Sequence, residues 1–177
     1  MVQLISVLYL AIFTFAVIGY LRGFDKELIA MSGIVLAIFS LVQFNDFFIS
    51  VTSGAGNPQR TLFYIQAFMI LAVTFFAYQT PPERFAKLRS GSRSRRDALQ
   101  NRLLGVLMGG FNGYMAFGSI WYYLDINGYP LTSIQAPVLN TASANFVGNL
   151  PLAWLLSGNL LTLFVIGLFL FILIAII

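Results

Sequence analysis

Long apolar runs alternate with short polar turns along the chain, and this pattern predicts a bundle of membrane-spanning helices. The runs cover residues 2–20, 27–48, 61–80, 102–124 and 158–177. A helix of about 20 apolar residues is long enough to cross the hydrocarbon core of a bilayer. Turn formers and charged residues separate the runs, and Pro81 with Pro82 ends the third one. The sequence therefore predicts an all-α integral membrane protein with four to five transmembrane helices.

These elements divide the chain into three parts. Residues 1–124 are predicted to form a four-helix membrane domain, whose third and fourth helices are joined by a basic linker at 79–101. Residues 125–157 are predicted to form an external loop, in which 150–156 is a candidate interfacial helix because it is short, apolar and contains Trp154. Residues 158–177 are predicted to form a fifth transmembrane helix.

Composition supports a membrane protein and excludes several kinds of chemistry. Hydrophobic residues make up 59% of the chain and charged residues only 9%, whereas about a quarter of a soluble domain is charged. The chain contains no Cys and no His, which removes disulfides, thiolate chemistry and imidazole ligands for metal or haem. No phosphate-binding glycine loop or nucleophile arrangement is present. We therefore expect neither an enzyme, nor a metal, nor a cofactor.

Acidic residues also bear on transport. All six lie near the ends of the predicted helices or in loops. Ionisable residues in the middle of the membrane are the usual mark of a proton or ion path. A pump or secondary transporter that works alone is therefore disfavoured.

Positive charge predicts the orientation of the bundle. Seven of the 10 Lys and Arg residues lie between positions 84 and 102, and Lys and Arg accumulate in cytoplasmic loops. The linker 79–101 is therefore predicted to be cytoplasmic, and so is the turn that carries Arg22 and Lys26. Only one basic residue, Arg60, then lies outside. This topology places the N-terminus outside.

The basic linker has three interpretations. Its candidate lipid-binding residues are Arg84, Lys87, Arg89, Arg93, Arg95 and Arg96. They form either a solvated loop that only sets topology or a stripe that binds anionic lipid, where each Lys or Arg contributes about 1 kcal/mol. Binding of nucleic acid is the third interpretation, and it is disfavoured because no aromatic platform or nucleic-acid-binding motif accompanies the charge.

The fourth run carries a face of small residues. Gly105, Gly109, Asn112, Gly113 and Ala116 fall within about 100° of one another on a helical wheel. Small residues four apart let two helices approach closely in lipid, and a buried carboxamide can hydrogen-bond across the contact. The face is predicted to pack a helix, either within one chain or in a homodimer, and a ligand site around Asn112 is the third alternative.

Two segments resemble the bacterial colicin V production protein family. They are GYLRGFDKEL at 19–28 and NRLLGVLMGGFNGYM at 101–115. The family shows a first helix that ends in Gly, an RGF-type turn and a downstream Glu, and later an Arg followed by spaced glycines. The matching positions are Gly19, Arg22, Gly23, Phe24, Glu27, Arg102, Leu103, Leu104, Gly105, Gly109 and Gly113. The resemblance covers about residues 1–125.

The resemblance implies a multi-pass protein of the bacterial inner membrane, involved in toxin export or envelope homeostasis. The chain departs from the family in Asn101, where the family usually has Asp, in its more basic linker and in its fifth apolar run. From the topology, Arg22 and Arg102 are predicted to form a cluster with Glu27 that fixes three helices together.

Two functional hypotheses follow. The first is an envelope protein that acts through helix–helix association, as a homo-oligomer or with partners. The alternative is an accessory subunit of a larger respiratory or photosynthetic complex, which the uncharged external loop and the fifth run favour.

Overall fold

The computed structural model describes residues 3–79 and 95–176. Its helices are α1 (Leu4–Arg22), α2 (Phe24–Gln43), α3 (Asn45–Thr52), α4 (Pro58–Tyr78), α5 (Arg95–Ile126), α6 (Ala142–Phe146), α7 (Pro151–Leu155) and α8 (Leu160–Ile176). Short 3-10 turns lie at Val147–Asn149 and Ser157–Asn159. Because the described residues form helices and no strand, the prediction of an all-α membrane protein is confirmed.

Three of these helices, α1, α4 and α5, are long and apolar enough to cross a membrane by themselves. Two further pairs pass the same test only when they are taken together across a bend. They are α2 with α3, bent by 64°, and Ala142–Leu155 with Ser157–Leu170, bent by 50°. The structure therefore has three to five candidate spans.

The second apolar run, predicted as one helix over 27–48, is broken in the structure. Helix α2 ends at Gln43, and α3 begins at Asn45 in a new direction. The break falls where Gln43, Asn45 and Asp46 interrupt the apolar run. Phe47 and Val51 on α3 are exposed, so the short helix turns apolar side chains away from the bundle.

Local sequence signals set the ends of several helices. The carboxamide oxygen of Asn57 accepts a hydrogen bond of 3.0 Å from the backbone N–H of Arg60, and Pro58 occupies the first position of α4. Helices α1 and α2 are joined by a single residue, Gly23, with φ of 81°. Its N–H donates to the carbonyl of Gly19 across 2.8 Å. The positive φ, which glycine adopts readily, allows a turn of one residue.

Helix α5 is the centre of the bundle. Helix α1 packs along it over the longest contact, and α2 lies against both α5 and α4. Their shared core contains Ile34 and Ile38 from α2, Ile70 from α4 and Met115 from α5, all fully buried. Large apolar side chains cover the outside of the bundle, such as Phe68, which is 71% exposed. An apolar exterior of this kind is what a bilayer requires.

The segment around α7 packs into the bundle instead of lying on its surface. Leu150, Leu152 and Leu155 are fully buried. The indole N–H of Trp154 donates to the hydroxyl of Tyr114 across 2.9 Å. This contact joins α7 to Tyr114 on α5. The position of 150–156 at the membrane interface stays a prediction.

Candidate functional site

Four helices meet at a buried polar cluster, which consists of Arg22, Glu27, Tyr78 and Asn112. Glu27 is 0% exposed, and its Oε1 lies 2.8 Å from Nη1 of Arg22. Its Oε2 accepts hydrogen bonds from the Tyr78 hydroxyl at 2.6 Å and from Nδ2 of Asn112 at 2.9 Å. One carboxylate thus links α1, α2, α4 and α5.

Further contacts close this polar cluster. Nδ2 of Asn112 also donates to the backbone carbonyl of Glu27 across 2.9 Å. Nη2 of Arg22 donates to the backbone carbonyl of Tyr78 across 3.2 Å, and the guanidinium carbon lies 4.3 Å from the centre of the Tyr78 ring. A carboxylate buried away from water requires such donors, because an unpaired charge there is strongly unfavourable. The cluster therefore supplies a donor to each oxygen of the Glu27 carboxylate.

A glycine contact between α1 and α5 lies next to the polar cluster. A Cβ atom placed on Gly19 would lie 2.0 Å from the carbonyl oxygen of Gly105, and one on Gly109 would lie 2.3 Å from the carbonyl oxygen of Phe15. These distances are far below any real Cβ contact, so only glycine fits at these positions. Backbones this close gain dispersion and Cα–H···O contacts, which drive helix association in lipid.

The small-residue face of α5 contacts three neighbouring helices. Gly105, Gly109 and Gly113 lie against α1 of the same chain. Asn112 reaches Glu27 on α2 and Tyr78 on α4, and Ala116 is fully buried in the central core. The structure thus uses this face for packing within one chain, which was one of the three alternatives.

The family-like residues of the first segment meet around this contact. Gly23 is buried, and a Cβ there would lie 2.4 Å from Nδ2 of Asn101, at the position where the family usually has Asp. Phe24 begins α2 and is half-buried. Among the described residues Glu27 forms an ion pair with Arg22 and none with Arg102, whose guanidinium carbon lies 5.6 Å from the centre of the Tyr20 ring. The predicted cluster therefore forms with Arg22 and without Arg102.

The basic linker lies largely outside the described residues. This applies to Arg84, Lys87, Arg89 and Arg93. Arg95 and Arg96 stand in the first turn of α5, and their side chains are not described. Within the described residues, no three His, Cys, Asp or Glu side chains come together as metal ligands.

Sequence reasoning placed Glu27 in a cluster with Arg22 but missed Tyr78, which lies within the third apolar run. Polar residues recur on the buried face of α4 at Gln66, Thr74 and Tyr78, a spacing of whole helical turns. That periodicity was the available signal for a polar side of α4.

Comparison with known proteins assigns the family. The model of the colicin V production protein family matches residues 5–151, which is well over half of the chain and extends past the segment 1–125 that carries the resemblance. No curated protein and no solved structure matches the chain significantly. The match includes every residue of the polar cluster and the glycine contact. This multi-pass membrane protein belongs to the colicin V production protein family.

Proposed function

We propose that this protein is a non-enzymatic component of the bacterial inner membrane that supports toxin export or envelope homeostasis through fixed association of its helices. The polar cluster around Glu27 carries this proposal. Its Arg22 and Glu27 come from the family-like segment, and both carboxylate oxygens of Glu27 are occupied by donors from other helices. A carboxylate paired in this way holds elements in place instead of attacking a substrate.

A complementation experiment tests the proposal. A strain that lacks the protein is given wild type, Glu27→Gln or the matched control Asp46→Asn, which changes an exposed acid on α3. Resistance to detergent and export of a peptide toxin are measured beside the amount of protein in the inner-membrane fraction. We expect wild type and Asp46→Asn to restore both phenotypes, and Glu27→Gln to restore neither at equal membrane amount. Full restoration by Glu27→Gln would contradict the proposal.

A second candidate function, an accessory subunit of a larger respiratory or photosynthetic complex, is favoured by the exterior of α8. Leu163 and Phe169 on this helix are 61% and 63% exposed, and α8 contacts the rest of the bundle mainly through α2. Native mass spectrometry after gentle extraction separates the two candidates. Fixed stoichiometry with subunits of an energy-converting complex supports the accessory role, whereas the protein alone or as a homo-oligomer supports the envelope role.

Binding of anionic lipid by the basic linker is a further part of the proposal. Its support is the concentration of positive charge at 84–96. Flotation with vesicles that contain anionic lipid tests it, using a peptide of residues 79–101 and a control in which the six basic residues are replaced by Gln. Equal flotation of both peptides would refute lipid binding by charge.

A further inference from the structure

We propose that a membrane phospholipid binds on the outer side of the contact between α1 and α5, with its phosphate on Arg102 and an acyl chain along Ala16 and Gly110. The proposal goes beyond the function proposed above and does not depend on it. It is also separate from lipid binding by the linker at 79–101, because Arg102 follows that linker within α5. It rests on the contacts of Arg102, on the position of Tyr20 in α1 and on the side chains beside the helix contact.

The side chain of Arg102 reaches from α5 to an aromatic ring of another helix. Its guanidinium carbon lies 5.6 Å from the centre of the Tyr20 ring on α1, a distance at which cation–π attraction holds a guanidinium in place. Within the described residues, the Arg102 side chain has neither an ion pair nor a hydrogen-bond acceptor. Its N–H donors are therefore available, and phosphate is an anion that a planar guanidinium binds through two parallel hydrogen bonds.

A second exposed pair of Arg and Tyr differs from this one in its hydrogen bonds. The guanidinium carbon of Arg60 on α4 also lies 5.6 Å from a ring centre, that of Tyr64. Nε and Nη2 of Arg60 both donate to the Tyr64 hydroxyl, across 3.3 and 3.2 Å. The two pairs share the ring contact, but Arg60 uses its donors within its own helix. Arg60 is therefore a matched control for Arg102.

The Tyr20 ring lies at the depth where lipid headgroups begin. Helix α1 has 19 residues and is about 28 Å long at roughly 1.5 Å per residue, close to the hydrocarbon thickness of about 30 Å. Tyr20 stands two positions before the last residue of this helix, and Tyr side chains concentrate at the boundary between hydrocarbon and water. A phosphate bound to Arg102 beside this ring is thus at the level of the phospholipid phosphates in that leaflet.

Small residues lie at the edge of the contact between α1 and α5, where it faces lipid. A Cβ on Gly110 would lie 3.6 Å from the Cβ of Ala16, so the helices meet there through small side chains. Four larger side chains, all 40–71% exposed, flank this contact within about 60° of Gly110 or Ala16 on the helical wheels. They are Leu103 and Leu107 on α5, and Phe13 and Tyr20 on α1. An acyl chain laid over the small residues gains dispersion contacts with both sets of larger ones.

The charge of Arg102 selects the headgroup. A phosphatidylglycerol molecule offers its phosphate without a second charge, whereas the ammonium of phosphatidylethanolamine is repelled by a guanidinium. Free phosphate would satisfy Arg102 but would leave the apolar surface beside Gly110 uncovered. A diacylglycerol would cover that surface but would give Arg102 no anion. Phosphatidylglycerol satisfies both parts of the site.

Photolabelling of the purified full chain in detergent tests the site. Phosphatidylglycerol with a diazirine in one acyl chain is added at low concentration, and mass spectrometry maps the labelled residues. We expect label in 13–20 and 103–110, and a several-fold loss of it in Arg102→Gln. The control Arg60→Gln removes the same charge at an Arg that already donates to Tyr64, so it should match wild type. Equal labelling of these segments in both variants would overturn the site.

Competition shows which part of the lipid is held. Unlabelled phosphatidylglycerol should remove the label from 13–20 and 103–110, whereas inorganic phosphate and a diacylglycerol of equal chain length should each leave most of it. Displacement by either of these two would contradict a phospholipid site. A dimer in native mass spectrometry, with both segments unlabelled, would show that a second copy covers this surface and would also overturn the proposal.

Two further results keep this site distinct from the functions proposed above. Arg102→Gln leaves the ion pair of Arg22 with Glu27 intact, so this variant should still complement the deletion strain. Failure of the lipid site is therefore distinguishable from failure of the proposed function. The peptide 79–101 lacks Arg102, so its flotation reports on the linker alone.

Discussion

Nδ2 of Asn112 donates to the carboxylate of Glu27 across 2.9 Å, although 85 positions separate the two residues. This bond joins α5 to α2 at the point where Arg22 and Tyr78 also reach Glu27. Lipid tails are as apolar as Leu, so burial of apolar surface does not choose between helix registers in a membrane. Polar contacts of this kind, together with close packing, therefore fix the arrangement of the bundle.

Replacing the Glu27 charge should destabilise the protein. Glu27→Gln retains the shape of the side chain but leaves Arg22 without its carboxylate, and a hydrogen bond to a charged group contributes about 1.5–3 kcal/mol. We expect a loss of that size in the free energy of unfolding, measured with denaturant in mixed micelles. The control Asp46→Asn should stay within about 0.5 kcal/mol of wild type. Equal stability of the two variants would contradict a structural role for the pair.

The bond from Asn112 should be energetically coupled to Glu27. In a double-mutant cycle with Asn112→Ala and Glu27→Gln, the coupling should be about 0.5–3 kcal/mol, because the two side chains are in direct contact. The free energies of unfolding of wild type, both single variants and the double variant supply the cycle. Strict additivity would show that the contact adds nothing to stability.

Replacement by Ala should destabilise the protein at Gly109 but not at its neighbour Gly110 on α5. Gly109→Ala would place a Cβ 2.3 Å from the Phe15 carbonyl oxygen, whereas Gly110→Ala would meet Ala16 and Ile12 at 3.6 Å, an ordinary contact. Overpacking typically costs about 1–3 kcal/mol. We therefore expect Gly109→Ala to lower the unfolding temperature in detergent clearly, and Gly110→Ala to leave it near that of wild type. Equal losses in both variants would refute the close approach of α1.

Periodicity within one segment predicted the long helices and the small-residue face of α5, but not the break between α2 and α3. Which helix covers that face was not predictable in the same way. Helix α1 carries small residues at Ala11, Ala16 and Gly19, but small residues on one helix do not indicate which helix they meet. The direct pairing of Gly19 with Gly105 and Gly109 is a tertiary contact that only the fold supplies.

Position along the chain was misleading for two residues. Glu27 follows a basic turn and lies in the first turn of its helix, where a carboxylate usually faces water. Its burial depends on Tyr78 and Asn112, which arrive from distant segments. Arg102 is also positively charged, but its side chain lies over the Tyr20 ring instead. Charge and location predicted an ion pair, and tertiary packing selected which Arg forms it.

Loss of the Trp154 hydrogen bond should loosen α7. Trp154→Phe removes the indole donor to Tyr114, while the aromatic ring still fills most of the space. A hydrogen bond of this type contributes about 0.5–1.5 kcal/mol, and the free energy of unfolding should fall by that amount. Proteolysis near residue 150 should also become faster in the variant. Unchanged stability and unchanged proteolysis would contradict a stabilising role for this hydrogen bond.

A designed disulfide tests most directly whether the glycine face of α5 packs on α1 of the same chain. The protein has no native Cys, and a Cβ on Gly110 would lie 3.6 Å from the Cβ of Ala16, within the range of about 3.5–4.5 Å for disulfides. The variant Ala16→Cys with Gly110→Cys is oxidised in membranes and examined on non-reducing gels. An intramolecular disulfide, with no covalent dimer when the two single variants are co-expressed, is the predicted result. A covalent dimer of the co-expressed single variants, without an intramolecular bond in the double variant, would contradict the account.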